Sequence, residues 1–132
     1  MSARKQIRSK KAAPASGSYS QGLKWKDLFF TTVVPYDLNL DLVGTSVEEQ
    51  TKQTMENLRF LLEDAGSDFD HVLQVSAYIF DLDSNFGGFA KVYESYFTED
   101  DFPARSSHES KNFIHNGVQC YVELQVVAAC KE

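Results

Sequence analysis

The sequence predicts an α+β fold, a two-layer sandwich in which two helices cover one face of a mixed β-sheet. Three observations carry that prediction: a capped amphipathic helix in mid-chain, β-branched and aromatic runs on both sides of it, and a second helical periodicity between two of those runs. Strands, helix, strand, helix and two strands in that order put the helices on one layer and the sheet on the other. With 132 residues the chain has room for one domain, residues 1–132, and one core. A deep pocket is therefore expected to need a neighbouring subunit.

The start of the chain, around Ile7, reads as a solvated edge strand. Residues 12–22 are small and polar around a single aromatic, Tyr19, which is loop chemistry. Residues 28–35 are aromatic and β-branched, entered by the polar stretch 24–27 and stopped by Pro35, and read as a strand in a hairpin. Ser46 and Glu49 then form a capping box. Val47, Thr51, Met55, Leu58, Leu62 and Ala65 recur at spacings of three and four, and Gly66 supplies the stop. Residues 72–80 read as a strand, followed by a turn at 81–85. Phe86, Phe89, Ala90, Tyr93, Tyr96 and Phe97 keep helical spacing despite Gly87 and Gly88, and their aromatic stripe suits sheet packing. Pro103 forces an extended entry into a strand at 104–109, and residues 118–129 read as one last strand.

A content of 42% hydrophobic and 24% charged residues is that of a folded domain and excludes disorder for most of the length. No apolar run approaches the roughly 20 residues of a membrane helix, and no secretion signal is visible, so a cytoplasmic address is expected with no membrane partner. Cys120 and Cys130, ten residues apart in what reads as one strand, cannot pair within it and are expected as thiols. They and His71, His108 and His115 show no metal-ligand spacing, so no metal is expected. Net charge is −6, and Arg4, Lys5, Arg8, Lys10 and Lys11 near the start leave 19 acids against 8 bases elsewhere, a balance of −11. Such a body repels phosphate backbones, so no nucleic-acid partner is expected.

Two charged residues stand among strand-core neighbours. Arg105 follows Pro103-Ala104 in a run free of other charge until Glu109, and Glu123 sits within Cys120-Tyr121-Val122-Glu123-Leu124. A charge in such a place costs several kcal/mol unless paired or used, which leaves a buried ion pair or a functional site. Glu123 shares a strand face with Tyr121 and Gln125, so exposure to solvent is a third reading. Ser106 and Ser107 lack a Gly-x-Ser-x-Gly turn, there is no glycine-rich phosphate loop, and the histidines read as structural or exposed.

Beyond these readings the chain resembles a known family. Gly17-Ser18-Tyr19-Ser20-Gln21, Glu49-Gln50-Thr51 with Asn57-Leu58 and Ala65-Gly66, Val92-Tyr93-Glu94 with Tyr96-Phe97, Phe102-Pro103-Ala104-Arg105-Ser106, and Val122-Glu123-Leu124 with Ala128 follow one another as in the reactive intermediate deaminase (Rid, or YjgF) family. The resemblance implies a chorismate-mutase-like fold, a homotrimer with clefts between subunits, and hydrolysis of small carboxylate-bearing enamines or imines to keto compounds and ammonia without cofactor or metal. It also implies roles: Arg105 grips the substrate carboxylate, Glu123 holds or deprotonates water, and Tyr19 closes over the ligand. Three pocket positions depart from the family pattern, with Thr32 for a glycine, Ala90 for an asparagine and Ser107 for a cysteine. The resemblance therefore implies a carboxylate site with an altered cleft. Alternative readings are a binding or regulatory module for 2-keto acids, and a ribonuclease or translation inhibitor, which the acidic body disfavours.

Overall fold

Alternation of apolar and polar side chains gives the sheet one covered face and one open face. The computed structural model describes residues 3–131. In chain order these form β1 (Arg4–Ile7), β2 (Gly22–Trp25), β3 (Leu28–Val33), α1 (Val47–Ala65), β4 (Val72–Ile79), α2 (Leu82–Glu94), β5 (Ala104–Glu109), β6 (Ile114–His115), β7 (Val118–Gln119) and β8 (Val122–Ala129). The main sheet runs β1-β2-β3-β8-β4-β5, antiparallel except for the last pair. Phe29, Val33, Val75, Ala77, Ile79, Val122, Leu124 and Val126 point from it into a core closed by Met55, Leu58 and Leu62 of α1 and Phe89 and Tyr93 of α2. Each such buried Val, Leu, Ile, Phe or Met side chain contributes roughly 1.5–3 kcal/mol. Two helices on one face of a mixed sheet are the layers that the sequence predicts.

α1 begins and ends where its signals stand. The Ser46 hydroxyl accepts from the Glu49 N–H at 3.1 Å, and the Glu49 carboxylate accepts from the Ser46 hydroxyl and the Thr45 N–H. At the far end Gly66 takes the left-handed conformation, φ 79°, and the N–H groups of Gly66 and Ser67 close back on the carbonyls of Glu63 and Leu62. Two buried polar side chains on α1 tie loops to it. Asn57 Nδ2 donates to the carbonyls of Val34 and Tyr36, and Gln50 joins Gln119 and Tyr121 through its two amide atoms.

Four sequence expectations need correction. The polar stretch 24–27 contains half of β2: Leu23 and Trp25 point to the open face, Lys24 to the covered one, where its ammonium donates to the Ala65 carbonyl at 3.3 Å. The turn expected at 81–85 shrinks to Asp81, which takes φ 49°, and α2 starts at Leu82. α2 also stops at Glu94, so Tyr96 and Phe97 pack on the core from the segment that follows. The single strand expected at 118–129 is two, because the Cys120 N–H bonds the Phe113 carbonyl and the Tyr121 N–H bonds Gln50, turning the chain between β7 and β8. The strand expectations near Ile7 and at 104–109 agree with β1 and β5.

Candidate active site

Strand parity decides which candidate residues can meet. β5 pairs in parallel with β4 so that Arg105 lies opposite Val75, and Ser107 opposite Ala77. Both partners are buried under the helices, so Arg105 and Ser107 lie on the helix side of the sheet. The Arg105 guanidinium carbon sits 5.3 Å from the Phe86 ring centroid, 5.8 Å from that of Phe89 and 5.1 Å from that of Tyr93. Attraction to ring faces, about 0.5–1 kcal/mol at exposed sites, holds the guanidinium against α2. Because β5 is a sheet edge, Arg105 remains exposed. The Tyr93 hydroxyl beside it is buried without a hydrogen bond of good geometry, and burial pushes its pKa up to about 12 against the opposing pull of Arg105. Ala90, on the same helix, and Ser107 are half-buried.

Glu123 stands on the other side. It lies opposite Tyr78 across the β4–β8 pair, and Thr32 lies opposite Gln125 across β3–β8. All of these project from the open face. A concavity of about 400 Å³ there is lined by Tyr19, Thr32, Val34, Tyr36, Phe113 and Glu123. Burial raises the Glu123 pKa above the usual carboxylate range. The ion pairs among the described residues are Arg59–Glu56, His71–Asp68 and Lys131–Asp68, so neither Arg105 nor Glu123 is neutralised by a partner there. That removes the buried ion pair as an explanation. Glu123 is also half-buried, which removes free solvation.

Tyr19 reaches this concavity from the loop between β1 and β2. Its hydroxyl meets the Ser16 N–H and hydroxyl, each at 3.0 Å, and its own N–H bonds the Gly17 carbonyl. Gln21 holds the loop shut at its base, accepting from the Ser9 N–H and donating to the carbonyls of Ser9 and Ala13. The chain therefore brings together Tyr19, Thr32 and Glu123, and places Arg105, Ala90 and Ser107 across the sheet from them. One copy cannot close all six residues around a single small molecule.

Sequence reasoning missed Tyr36 and Phe113. Phe113 precedes a two-stranded hairpin, β6–β7, turned by Asn116 at φ 51° and Gly117 at φ 77°. An Asn-Gly pair is the strongest local hairpin signal, and it marks the wall that carries Phe113. The histidines make local contacts: His71 with Asp68, His108 stacked on Tyr78 and His115 edge-on to Tyr36. Cys120 and Cys130 are free thiols, and burial pushes the first up to about 12, which makes it a poor nucleophile. No group of three or more His, Cys, Asp or Glu among the described residues is placed to hold a metal, and no helix there is long and apolar enough to cross a membrane.

Comparison with known proteins gives one consistent answer. The model of the family described as endoribonuclease L-PSP matches residues 10–130. A 2-iminobutanoate/2-iminopropanoate deaminase of Salmonella typhimurium is 32% identical, over 80% of this chain and 84% of that protein. The candidate regulator AldR of Lactococcus lactis is 34% identical, over 90% and 93%. The crystal structure of yeast Mmf1 superimposes with a TM-score of 0.86 at 27% identity, covering 97% of this chain and 99% of that one. A Rid-family protein, YyfA from Yersinia pestis, does so with a TM-score of 0.86 at 29% identity, covering 96% and 99%. By its sequence motifs, its fold and these relatives, the chain belongs to the Rid/YjgF family, whose sequence model carries the endoribonuclease L-PSP description.

Proposed function

We propose that this protein hydrolyses a small carboxylate-bearing enamine or imine to the keto acid and ammonia, in a site that two copies of the chain build together within a homotrimer. One observation carries the reading: an unpaired Arg105 on an exposed sheet edge and an unpaired, half-buried Glu123 on the open face, with the sheet between them. Each is half of a site. Arg105 of one copy grips the substrate carboxylate with its planar fork, and Glu123 and Tyr19 of the next face the imine carbon.

The chemistry then needs only water. Glu123 as carboxylate takes a proton from water as its oxygen bonds the imine carbon, and returns that proton to the nitrogen, giving a carbinolamine. It next takes the hydroxyl proton and delivers it to the nitrogen as the C–N bond breaks, leaving the keto acid and ammonia. A base whose pKa is lifted by burial suits both steps near neutral pH. The carboxylate held by Arg105 orients the carbon, and Tyr19 excludes bulk water.

The test generates 2-iminobutanoate or 2-iminopropanoate with an amino-acid oxidase and traps residual imine with semicarbazide. The protein is expected to accelerate imine loss, Arg105→Ala to lower kcat/KM by about 100-fold, and Arg105→Lys by about tenfold. Absence of acceleration over buffer across a panel of imines, or full activity in Arg105→Ala, ends the reading. A second reading, a sensor of 2-keto acids, draws support from the AldR relative and from the Thr32 side chain in the concavity. Arg105-dependent binding in calorimetry with no turnover would select it. Ribonuclease activity has less support, because a net charge of −6 repels RNA.

A further inference from the structure

We infer that the Glu123 concavity is built for a substrate with an aromatic side chain, and that Tyr36 and Phe113 set this preference. The inference rests on the carboxylate-imine reading above and names the substrate class of that site. Three rings, Tyr19, Tyr36 and Phe113, and the apolar Val34 line it together with Ser16, Ser20, Thr32 and Glu123. About 400 Å³ lies within the range of small-molecule sites and exceeds what a methyl or ethyl group fills. Thr32 of β3 lines the same concavity beside these rings.

Both walls are held in place. The Tyr36 and Phe113 centroids are 5.9 Å apart at 42°, and the His115 ring stands edge-on to Tyr36 at 5.4 Å and 76°. The Tyr36 carbonyl accepts from Asn57 at 2.8 Å and from Gln53 at 3.2 Å, which pins its backbone. The Phe113 carbonyl accepts from the Cys120 N–H at 2.8 Å, which pins the other wall to the β6–β7 hairpin. Tyr36 is 9% exposed and lines the concavity. A slot walled by three fixed rings orients a flat ring better than a short alkyl chain, and the hydroxyl-bearing residues around it, Ser16, Ser20 and Thr32 among them, offer polar contacts at its rim.

The experiment compares imines formed from phenylalanine and from 2-aminobutanoate, together with calorimetric binding of phenylpyruvate and 2-oxobutanoate. The wild-type protein is expected to favour the aryl member of each pair by about tenfold or more. Phe113→Leu and Tyr36→Leu are each expected to bring that ratio toward one. Two variants in connecting segments far apart in the chain guard against a fold defect in either. Equal or greater activity with the alkyl imine overturns the inference and leaves the deaminase reading standing. If neither imine is hydrolysed, that reading fails and binding decides: an aryl preference lost in Phe113→Leu upholds the inference, and equal or absent binding overturns it.

Discussion

At the residue scale, Glu123 links chemistry to stability through one pKa. Burial disfavours its ionised form, so its folded-state pKa lies above its unfolded one. The cost is absent below the unfolded value, about 4.3, and is felt in full above the folded one. Glu123→Gln is therefore expected to raise the thermal midpoint at pH 7 and to leave it unchanged near pH 4, as circular dichroism melts can show. The same raised pKa places the acid limb of kcat/KM above the ordinary glutamate value, and Glu123→Gln should lower activity by about 100-fold or more with that limb abolished. Glu123 stood out in the sequence because a charge among strand-core residues needs a reason; for Arg105 that premise fails, because β5 is an edge strand whose residues are mostly exposed, and the family resemblance is what singles it out. Tyr36 and Phe113 did not stand out, since an aromatic beside a proline or a turn looks like ordinary packing, and only the folded chain shows which cavity it lines.

At the element scale, packing requires only one of the two adjacent glycines in α2. A Cβ on Gly88 would stand 2.8 Å from the Val47 Cγ1 and 2.6 Å from a Glu48 carboxylate oxygen, so this is where α2 crosses the start of α1. A Cβ on Gly87 would meet nothing within 4 Å. Gly87→Ala is expected to stabilise the protein by about 1 kcal/mol from helix propensity alone. Gly88→Ala should lose that gain to the collision with the stiff, buried valine, and denaturant titration of the pair would separate the two effects. Element types were largely readable because the capping box, Gly66 and the aromatic stripe are local signals. β2 was not, because Lys24 reads as polar surface, whereas its alkyl stem and ammonium serve the end of α1. The break between β7 and β8 comes from Gln50, 71 residues away from Tyr121, and no local window contains that contact.

At the scale of the whole molecule, the sheet stands between the two halves of the proposed site. Layer order followed from patterning, but the face each charge takes depends on long-range pairings, the parallel register of β4 with β5 for Arg105 and the antiparallel register of β4 with β8 for Glu123. Mixing inactive Arg105→Ala and Glu123→Gln chains under conditions that exchange subunits should recover activity, to about a quarter of the wild-type value, because some interfaces then combine an intact arginine with an intact glutamate. A site complete within one chain would recover none. Sedimentation of the 14.9 kDa chain near three times its mass is the companion measurement.

Under the proposed two-copy site, the side of the sheet on which Arg105 lies also makes the protein's own abundance a control variable. If catalysis exists only where two copies meet, specific activity obeys mass action: constant while subunits are associated, then falling with dilution below their dissociation constant. Activity per milligram measured over a dilution series, beside sedimentation at the same concentrations, should break at one common point.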